Sequence, residues 1–407
     1  MSALHRERSL DAWLAAATPA TARVLVRALE ERELSVDEGE ALFRAEGDDL
    51  SALLATADRV RRNRVGDDVS FIVNRNINFT NVCYMGCKFC NFAKRRDDPE
   101  AEVLSLEEIQ RRTVEAHERG ATEVCIQGGL NPKLDADIYR QIVVAVREAV
   151  PGMHVHAFSP FEIWYGSKKA GMAAADFIRM LKDAGLGSMP GTAAEILDTE
   201  IRQRLTRDKL TTAQWVEIIR AAHSVGMPTT ATIMYGHIDG PSHWARHIDL
   251  IRSIQKDTGG FTEFVPLGFI HWDSPLYLKE EGVRPGPTTA EHLKMHAVAR
   301  LMLAGYIDNI QASWVKLGPQ LAQAMLDCGC NDFGGSLMNE SISRAAGAPH
   351  GQEVTPAEMV ALIRQIGRRP VRRSTLYQVL ETYDDHDPEE YAPLVERAPG
   401  VAVVARG

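Results

Sequence analysis

The chain has 407 residues, 45% of them hydrophobic and 25% charged, the balance of an ordinary globular protein with a large core. Its formal net charge of −9 argues against nucleic-acid binding as the main business, and no run approaches the ~20 apolar residues that cross a bilayer. Charges at Arg6, Glu7, Arg8 and Asp11 interrupt the N-terminal apolar positions, so this stretch does not read as a signal peptide and a cytoplasmic location is expected.

In chain order, residues 1–68 read as an N-terminal helical extension. Helical spacing runs through Leu10, Trp13 and Leu14, then Val24, Leu25, Val26 and Leu29, then Leu42, Leu50, Leu53 and Leu54. Ser35 with Glu38 three residues on resembles a capping box. From about residue 70, short apolar runs alternate with amphipathic stretches. Strands are expected at Phe71–Asn78, Glu123–Gln127, His154–Phe158, Leu186–Met189, Thr229–Met234, Phe264–Phe269, Asp308–Gln311 and Cys330–Phe333. Helices are expected near 105–119, 135–149, 169–184, 211–225, 243–256, 288–304, 317–327 and 337–346. Eight strand–helix pairs imply an α/β protein with a parallel (β/α)8 TIM-type barrel over residues 69–350; an open doubly wound sheet is the alternative. Residues 351–380 read as a C-terminal helical segment, and 381–407 as an irregular tail that is acidic from Tyr383 to Tyr391. The Arg-rich clusters at 60–64 and 368–373 read as solvated faces.

Six cysteines are too few for a disulfide scaffold, and three of them fall within eight residues. Cys83, Cys87 and Cys90 follow the first barrel strand, where loops line the catalytic face. Three thiolates at spacings of four and three wrap one face of a compact centre. A 4Fe–4S cubane takes four protein thiolates when fully ligated, so three leave one iron open. An open position marks a catalytic metal site, and the amino and carboxylate groups of S-adenosylmethionine can fill it. A structural zinc site would need a fourth ligand nearby. No histidine lies between His5 and His117, and the next cysteine, Cys125, sits in an expected core strand. Cys328 and Cys330 read as small packing residues.

This Cys-x3-Cys-x2-Cys loop resembles that of the radical S-adenosylmethionine superfamily. The resemblance implies that Phe89 approaches the adenine of the cofactor and that the strand end Gln127-Gly128-Gly129 binds its methionine moiety; read alone, the glycines make a tight turn. Further segments are similar to one branch of that superfamily, the tyrosine-utilising component of FO synthase, which serves coenzyme F-420 biosynthesis. They are His154–Pro160, Ser188–Glu195, Thr229–His237, Thr258–Leu267, Ile310–Gly318 and Asn331–Gly335. The futalosine-pathway enzymes of menaquinone synthesis are the neighbouring branch. The resemblance implies a transferase that breaks the Cα–Cβ bond of L-tyrosine, releases 2-iminoacetate and adds the 4-hydroxybenzyl group to carbon 5 of 5-amino-6-(D-ribitylamino)uracil. It further implies a separate radical enzyme for deazaflavin ring closure and a reductant protein, because the chain carries one such cysteine motif. An electron-transfer iron–sulfur protein is the contrasting class.

Beyond the cysteines, Glu195 is either a cofactor ligand, as the resemblance implies, or a first-turn carboxylate on a helix dipole. His156, Ser159, Tyr235 and His237 close strands, and each either orients a substrate or satisfies a structural hydrogen bond. His271 and Asp273 follow a strand end, which favours His271 for the site; Glu263, at a strand start, is assigned to structural pairing. Gln311, Ser313, Trp314 and Lys316 leave strand seven together, with Trp314 either stacked on a ring or in the core. Asn331 and Asp332 either read a pyrimidine edge or hold the barrel rim.

Overall fold

The computed structural model describes residues 8–391 and Leu394. Four helices, Leu10–Ala16, Pro19–Leu29, Val36–Phe43 and Gly47–Val65, precede the first strand. Ser9, Thr18 and Ser35 each accept a backbone N–H at a helix start, and Ser35 with Glu38 completes the capping box. The long Gly47–Val65 helix lays Leu53, Leu54 and Ala57 against the Thr289–Leu303 helix, which joins this extension to the barrel sheath.

Ten strands follow: β1 Asp68–Ile72, β2 Asn74–Asn78, β3 Glu123–Gln127, β4 His154–Ala157, β5 Leu186–Ser188, β6 Thr229–Tyr235, β7 Phe261–Gly268, β8 Asp332–Gly335, β9 Arg369–Arg373 and β10 Val379–Thr382. β1 and β2 form one bent first strand. β2 runs parallel to β3 from Asn74↔Glu123 to Asn78↔Gln127, β3 to β4, and β4 to β5. Met189 bridges Thr229 of β6, β6 pairs with β7, and Phe264 bridges Ile310. Gln311 bridges Asp332, and β8 returns to β1 through Ser70↔Asp332. The parallel ring therefore closes as a barrel, and the open sheet is excluded.

The side chains of β3 sort by the period of two. Glu123, Cys125 and Gln127 face the barrel cavity, while Val124 and Ile126 are fully buried against the sheath. Cys125 therefore lines the cavity instead of the core. Cys328 and Cys330 are buried packing residues. Strand seven shrinks to the bridges at Ile310 and Gln311, because the Asn331 side chain takes the Ile310 N–H (2.9 Å) and bonds Asn309 (3.1 Å). The expected 169–184 helix is two: Pro160–Ala170, started by Ser159 and stopped by Gly171 at φ 65°, and Ala174–Ala184.

The C-terminal segment differs most from expectation. One helix, Pro356–Gln365, is followed by β9, which pairs parallel with β1, and by β10, antiparallel to β9. The arginine cluster at 368–373 is a strand with paired side chains: Arg369 meets Asp68 and Arg373 turns inward onto Asp332. Arg61, in the other cluster, is likewise buried on Asp58. The acidic stretch is pinned where it is described. Tyr383 stacks on Phe71 (5.8 Å), and the Tyr391 hydroxyl donates to the Arg119 carbonyl. The rest of the tail, 395–407, lies outside the described residues. No helix among the described residues is long and apolar enough to cross a membrane.

Candidate functional site

A cavity of about 410 Å³ runs down the barrel from the loop after β2. Backbone bonds pin that loop: Cys83 N–H to Lys94 O (3.1 Å), Tyr84 N–H to Leu130 O (3.2 Å) and Cys90 N–H to Cys87 O (3.1 Å). The Arg95 guanidinium adds bonds to the Cys83 and Tyr84 carbonyls (3.2 and 2.7 Å). The three thiols line the cavity mouth, each half-buried and free of disulfides. Burial pushes the Cys87 thiol up to about 11, opposed chiefly by the Lys209 ammonium. Burial also raises Cys90, opposed by backbone N–H groups of Ala93 and Phe92. Among the described residues no three His, Cys, Asp or Glu side chains converge on a single metal ion.

The end of β3 lies flat against this loop because it has no side chains there. A Cβ on Gly129 would stand 2.4 Å from the Val82 carbonyl oxygen and 3.0 Å from Cys83 Cβ, and one on Gly128 would enter the Phe79 ring at 2.5 Å. Gln127 accepts a bond from the Thr192 hydroxyl (2.8 Å), and the Gly128 N–H donates to Glu162 (3.0 Å). Burial pushes Glu162 up to about 7, against the pull of Ser159 and Gly128 donors. Ser159 lines the cavity but spends its hydroxyl on Glu162 in the cap of the Pro160–Ala170 helix.

Glu195 sits opposite, in left-handed backbone at φ 42°, before the Thr199–Leu205 helix rather than in its first turn. Its Oε1 pairs with Lys209 at 2.5 Å, Arg202 lies 3.7 Å from its Oε2, and that buried Oε2 has no hydrogen bond. The Lys209 ammonium also lies 4.9 Å over the Phe89 ring. Burial alone would discharge Lys209, but Glu195 and Cys87 outweigh it and keep the cation charged. Three thiols, a side-chain-free strand end and the Glu195 carboxylate thus line one space. This donor set fits a 4Fe–4S cluster with S-adenosylmethionine on its open iron. Cys125 stays apart from it: its electrostatic neighbours are Glu123, Glu162 and Glu263, not the three loop thiols.

Of the remaining candidates, His156, Gln311, Ser313 and Lys316 line the same cavity. His156 Nδ1 meets Ser188 Oγ at 2.7 Å, and burial pulls the ring down to about 4, so it is neutral. Lys316 is buried, donates to Ser343 Oγ (2.7 Å) and is drawn below its usual value by burial. Six other candidates are not part of the cavity lining. Tyr235 faces outward and shares a hydrogen bond with His292 between strand and sheath (2.6 Å). His237 folds onto its own loop, bonded to the Met234 carbonyl (3.0 Å) beside Asp239 (3.2 Å). His271 packs against Trp272 (4.2 Å, tilted) and edge-on to Tyr277 (4.8 Å), and neither it nor Asp273 lines the cavity. Trp314 is in the core, its indole N–H on the Gly335 carbonyl (2.8 Å). Asn331 anchors Arg300 (2.7 Å), and Asp332 is covered by Arg373 and Ser70.

Sequence reasoning assigned Glu263 to structure and His271 to the site; in the structure Glu263 lines the cavity and His271 does not. The cavity reaches down to strand starts, so Glu263, Glu123, Arg373 and Thr375 line its floor. Period-two alternation through β3 and β7 was the available signal for the glutamates. Nothing in the sequence pointed to Lys209 or Arg373.

Family profiles match in two blocks, the radical SAM superfamily over residues 77–251 and the CofH/MqnC C-terminal region over 258–386. The chain is 48% identical to the 5-amino-6-(D-ribitylamino)uracil–L-tyrosine 4-hydroxyphenyl transferase of Methanothermobacter thermautotrophicus, over 89% of this chain and 98% of that protein. It is 54% identical to the FO synthase of Mycobacterium leprae over 84% of this chain, and it spans about two fifths (39%) of that protein's length. Among solved structures, methylornithine synthase superposes with a TM-score of 0.68 at 20% identity, covering 86% of this chain and 97% of that one, a likeness of fold. Members of the superfamily use a 4Fe–4S cluster and S-adenosylmethionine. The chain belongs to the radical SAM superfamily and, within it, to the family of the 5-amino-6-(D-ribitylamino)uracil–L-tyrosine 4-hydroxyphenyl transferases and FO synthases.

Proposed function

We propose that this chain moves the 4-hydroxybenzyl group of L-tyrosine onto carbon 5 of 5-amino-6-(D-ribitylamino)uracil, in the cytoplasm, on the route to the deazaflavin of coenzyme F-420. The observation that carries the reading is the single cavity that three thiols, the Gly128–Gly129 strand end and Glu195 all line. Cys83, Cys87 and Cys90 would hold the cluster, and Phe89, Gln127, Gly128, Gly129 and Glu195 would hold S-adenosylmethionine. When bound, these groups supply the radical that takes a hydrogen atom from tyrosine.

The protein's own work is binding, orientation and exclusion of water. Lys209 and Arg202 fix the Glu195 carboxylate in the cavity wall. Lys316, a buried cation near Cys90 and Glu340, would hold the tyrosine carboxylate. Met85, Val265, Leu267, Val315 and Leu337 give the middle of the cavity apolar walls that suit an aromatic ring and keep water from a radical. His156, Ser159 and Gln311 would contact substrate from the lower wall. Ring closure then falls to a separate radical enzyme, and a reductant protein supplies the electron.

The test is anaerobic turnover of reconstituted protein with S-adenosylmethionine, tyrosine and the ribityl-uracil, with mass detection of the benzylated adduct and of 5′-deoxyadenosine. Alanine at any one of Cys83, Cys87 or Cys90 should abolish both products, whereas Cys125→Ala should keep its iron and its turnover. Deoxyadenosine formed at a rate indifferent to both substrates, or loss of the cluster in Cys125→Ala, would refute the assignment.

A further inference from the structure

The floor of the cavity has a different chemistry from its mouth. Glu123 opens β3 and Gln127 closes it, so the floor lies four residues, about 13 Å of strand, below Gln127, the residue before the glycines. There Glu123, Glu263, Gln311 and Thr375 meet, the last carried in by the chain just after β9. Arg373 is largely spent on the wall: its Nε and Nη2 go to Asp332 and its Nη1 to the Ser374 carbonyl, while its Nη2 also lies 3.6 Å from Glu263. The floor is therefore acceptor-rich, with two carboxylates in the cavity lining and the one cation beside them already committed to Asp332.

Each member keeps an unused group. Glu263 accepts both its protein bonds, from Gln311 (3.1 Å) and Tyr377 (2.5 Å), at Oε2, which leaves Oε1 open. Glu123 accepts from Asn74 (2.8 Å) at Oε1. The Thr375 hydroxyl, in a residue only 9% exposed, faces the Glu123 carboxylate and helps hold it below its usual value. Two carboxylates with open oxygens, sharing a space with this hydroxyl, call for a ligand that brings its own donors.

Charge and donor count then select among ligands. A carboxylate would be repelled, and a ring edge of carbonyl oxygens would face acceptors with acceptors. Vicinal hydroxyls satisfy the set, since each donates to a carboxylate and can accept from Thr375 or Gln311. We propose that Glu123, Glu263, Gln311 and Thr375 form a subsite for a neutral polyol chain. On the reading under Proposed function, on which this assignment of the ligand rests, that chain is the ribityl arm of the uracil, with its ring held above, towards the thiols. Burial pushes Glu263 up to about 7, so near neutral pH it can both donate and accept, as a polyol requires.

The experiment is anaerobic calorimetry of cluster-loaded protein, without turnover, using 5-amino-6-(D-ribitylamino)uracil and 5,6-diaminouracil, which lacks the chain. The wild-type protein should bind the ribityl compound at least tenfold more tightly. Thr375→Val and Glu263→Gln should each cut that preference roughly tenfold, the scale of one lost hydrogen bond to a charged or buried group, with the 5,6-diaminouracil Kd moving less than about twofold. Should Glu263→Gln fail to fold, Thr375→Val gives the same reading, since it keeps the side-chain volume and removes only the hydroxyl beside Glu123. Equal affinity of wild type for both uracils, or equal loss for both in the variants, overturns the subsite. Preference retained without any benzylated adduct in turnover overturns the proposed reaction and leaves the polyol subsite standing.

Discussion

The Glu195–Lys209 pair can be weighed against its surroundings. Both side chains are about nine-tenths buried, with Lys209 at 2.5 Å and Arg202 at 3.7 Å from the carboxylate. At an effective dielectric near 20, these contacts are worth roughly 7 and 4 kcal/mol. Lys209→Met forfeits the larger, and it also relieves the desolvation of the ammonium, several kcal/mol in its own right. The balance is a destabilisation of about 3 kcal/mol, the low end for breaking a buried pair, because Arg202 still faces Glu195. The double variant Lys209→Met/Glu195→Gln leaves no unpaired buried anion and should recover to within about 1 kcal/mol of wild type. Urea denaturation of the reduced, cluster-free protein, followed by circular dichroism, measures all three. If the double variant is as unstable as Lys209→Met, the loss comes from packing around Phe89 and Phe161, and the electrostatic account of Glu195 fails.

Two further outcomes follow from the same wall of the cavity. Gly129→Ala places a methyl 2.4 Å from the Val82 carbonyl, about 1 Å inside ordinary contact, and backbone must move to relieve it. The variant should lose about 1–3 kcal/mol by overpacking and shift Cys83, so that iron bound after reconstitution falls; unchanged iron content and melting temperature would contradict the close approach. For Glu162, the folded value near 7 lies above its ordinary 4.5, so the folded state holds its proton while the unfolded state has released it. Its contribution is therefore most favourable below pH 4.5 and is lost as pH rises through 7, a change of roughly 3 kcal/mol. Glu162→Gln should gain on wild type by about that amount between pH 4.5 and pH 7 in urea melts, and a constant difference across that range would show that Glu162 is ionised throughout.

What the sequence made legible, and what it did not, divides along one physical line. Barrel strands such as Glu123–Gln127 announce themselves because their outer faces must be apolar, and the thiol loop because thiol spacing is local. The catalytic-face rule then named strand-end residues, of which Gln127 and Gln311 line the cavity and Tyr235 and His237 do not. A strand end has two faces, and those of Tyr235 and His237 turn to His292 and to the Asp239 loop. The cavity floor was invisible for a different reason. It depends on β9, an Arg-rich strand whose charges resemble a solvated surface until Asp332, more than 40 positions before Arg373, supplies the partner. Arg373 is paired and buried only because the ring of strands is closed around it, so no local pattern could have marked it. Long-range charge pairing of this kind also explains why the C-terminal segment belongs to the site: remove β9 and the carboxylates Glu263 and Asp332 face each other in the barrel without the one cation between them.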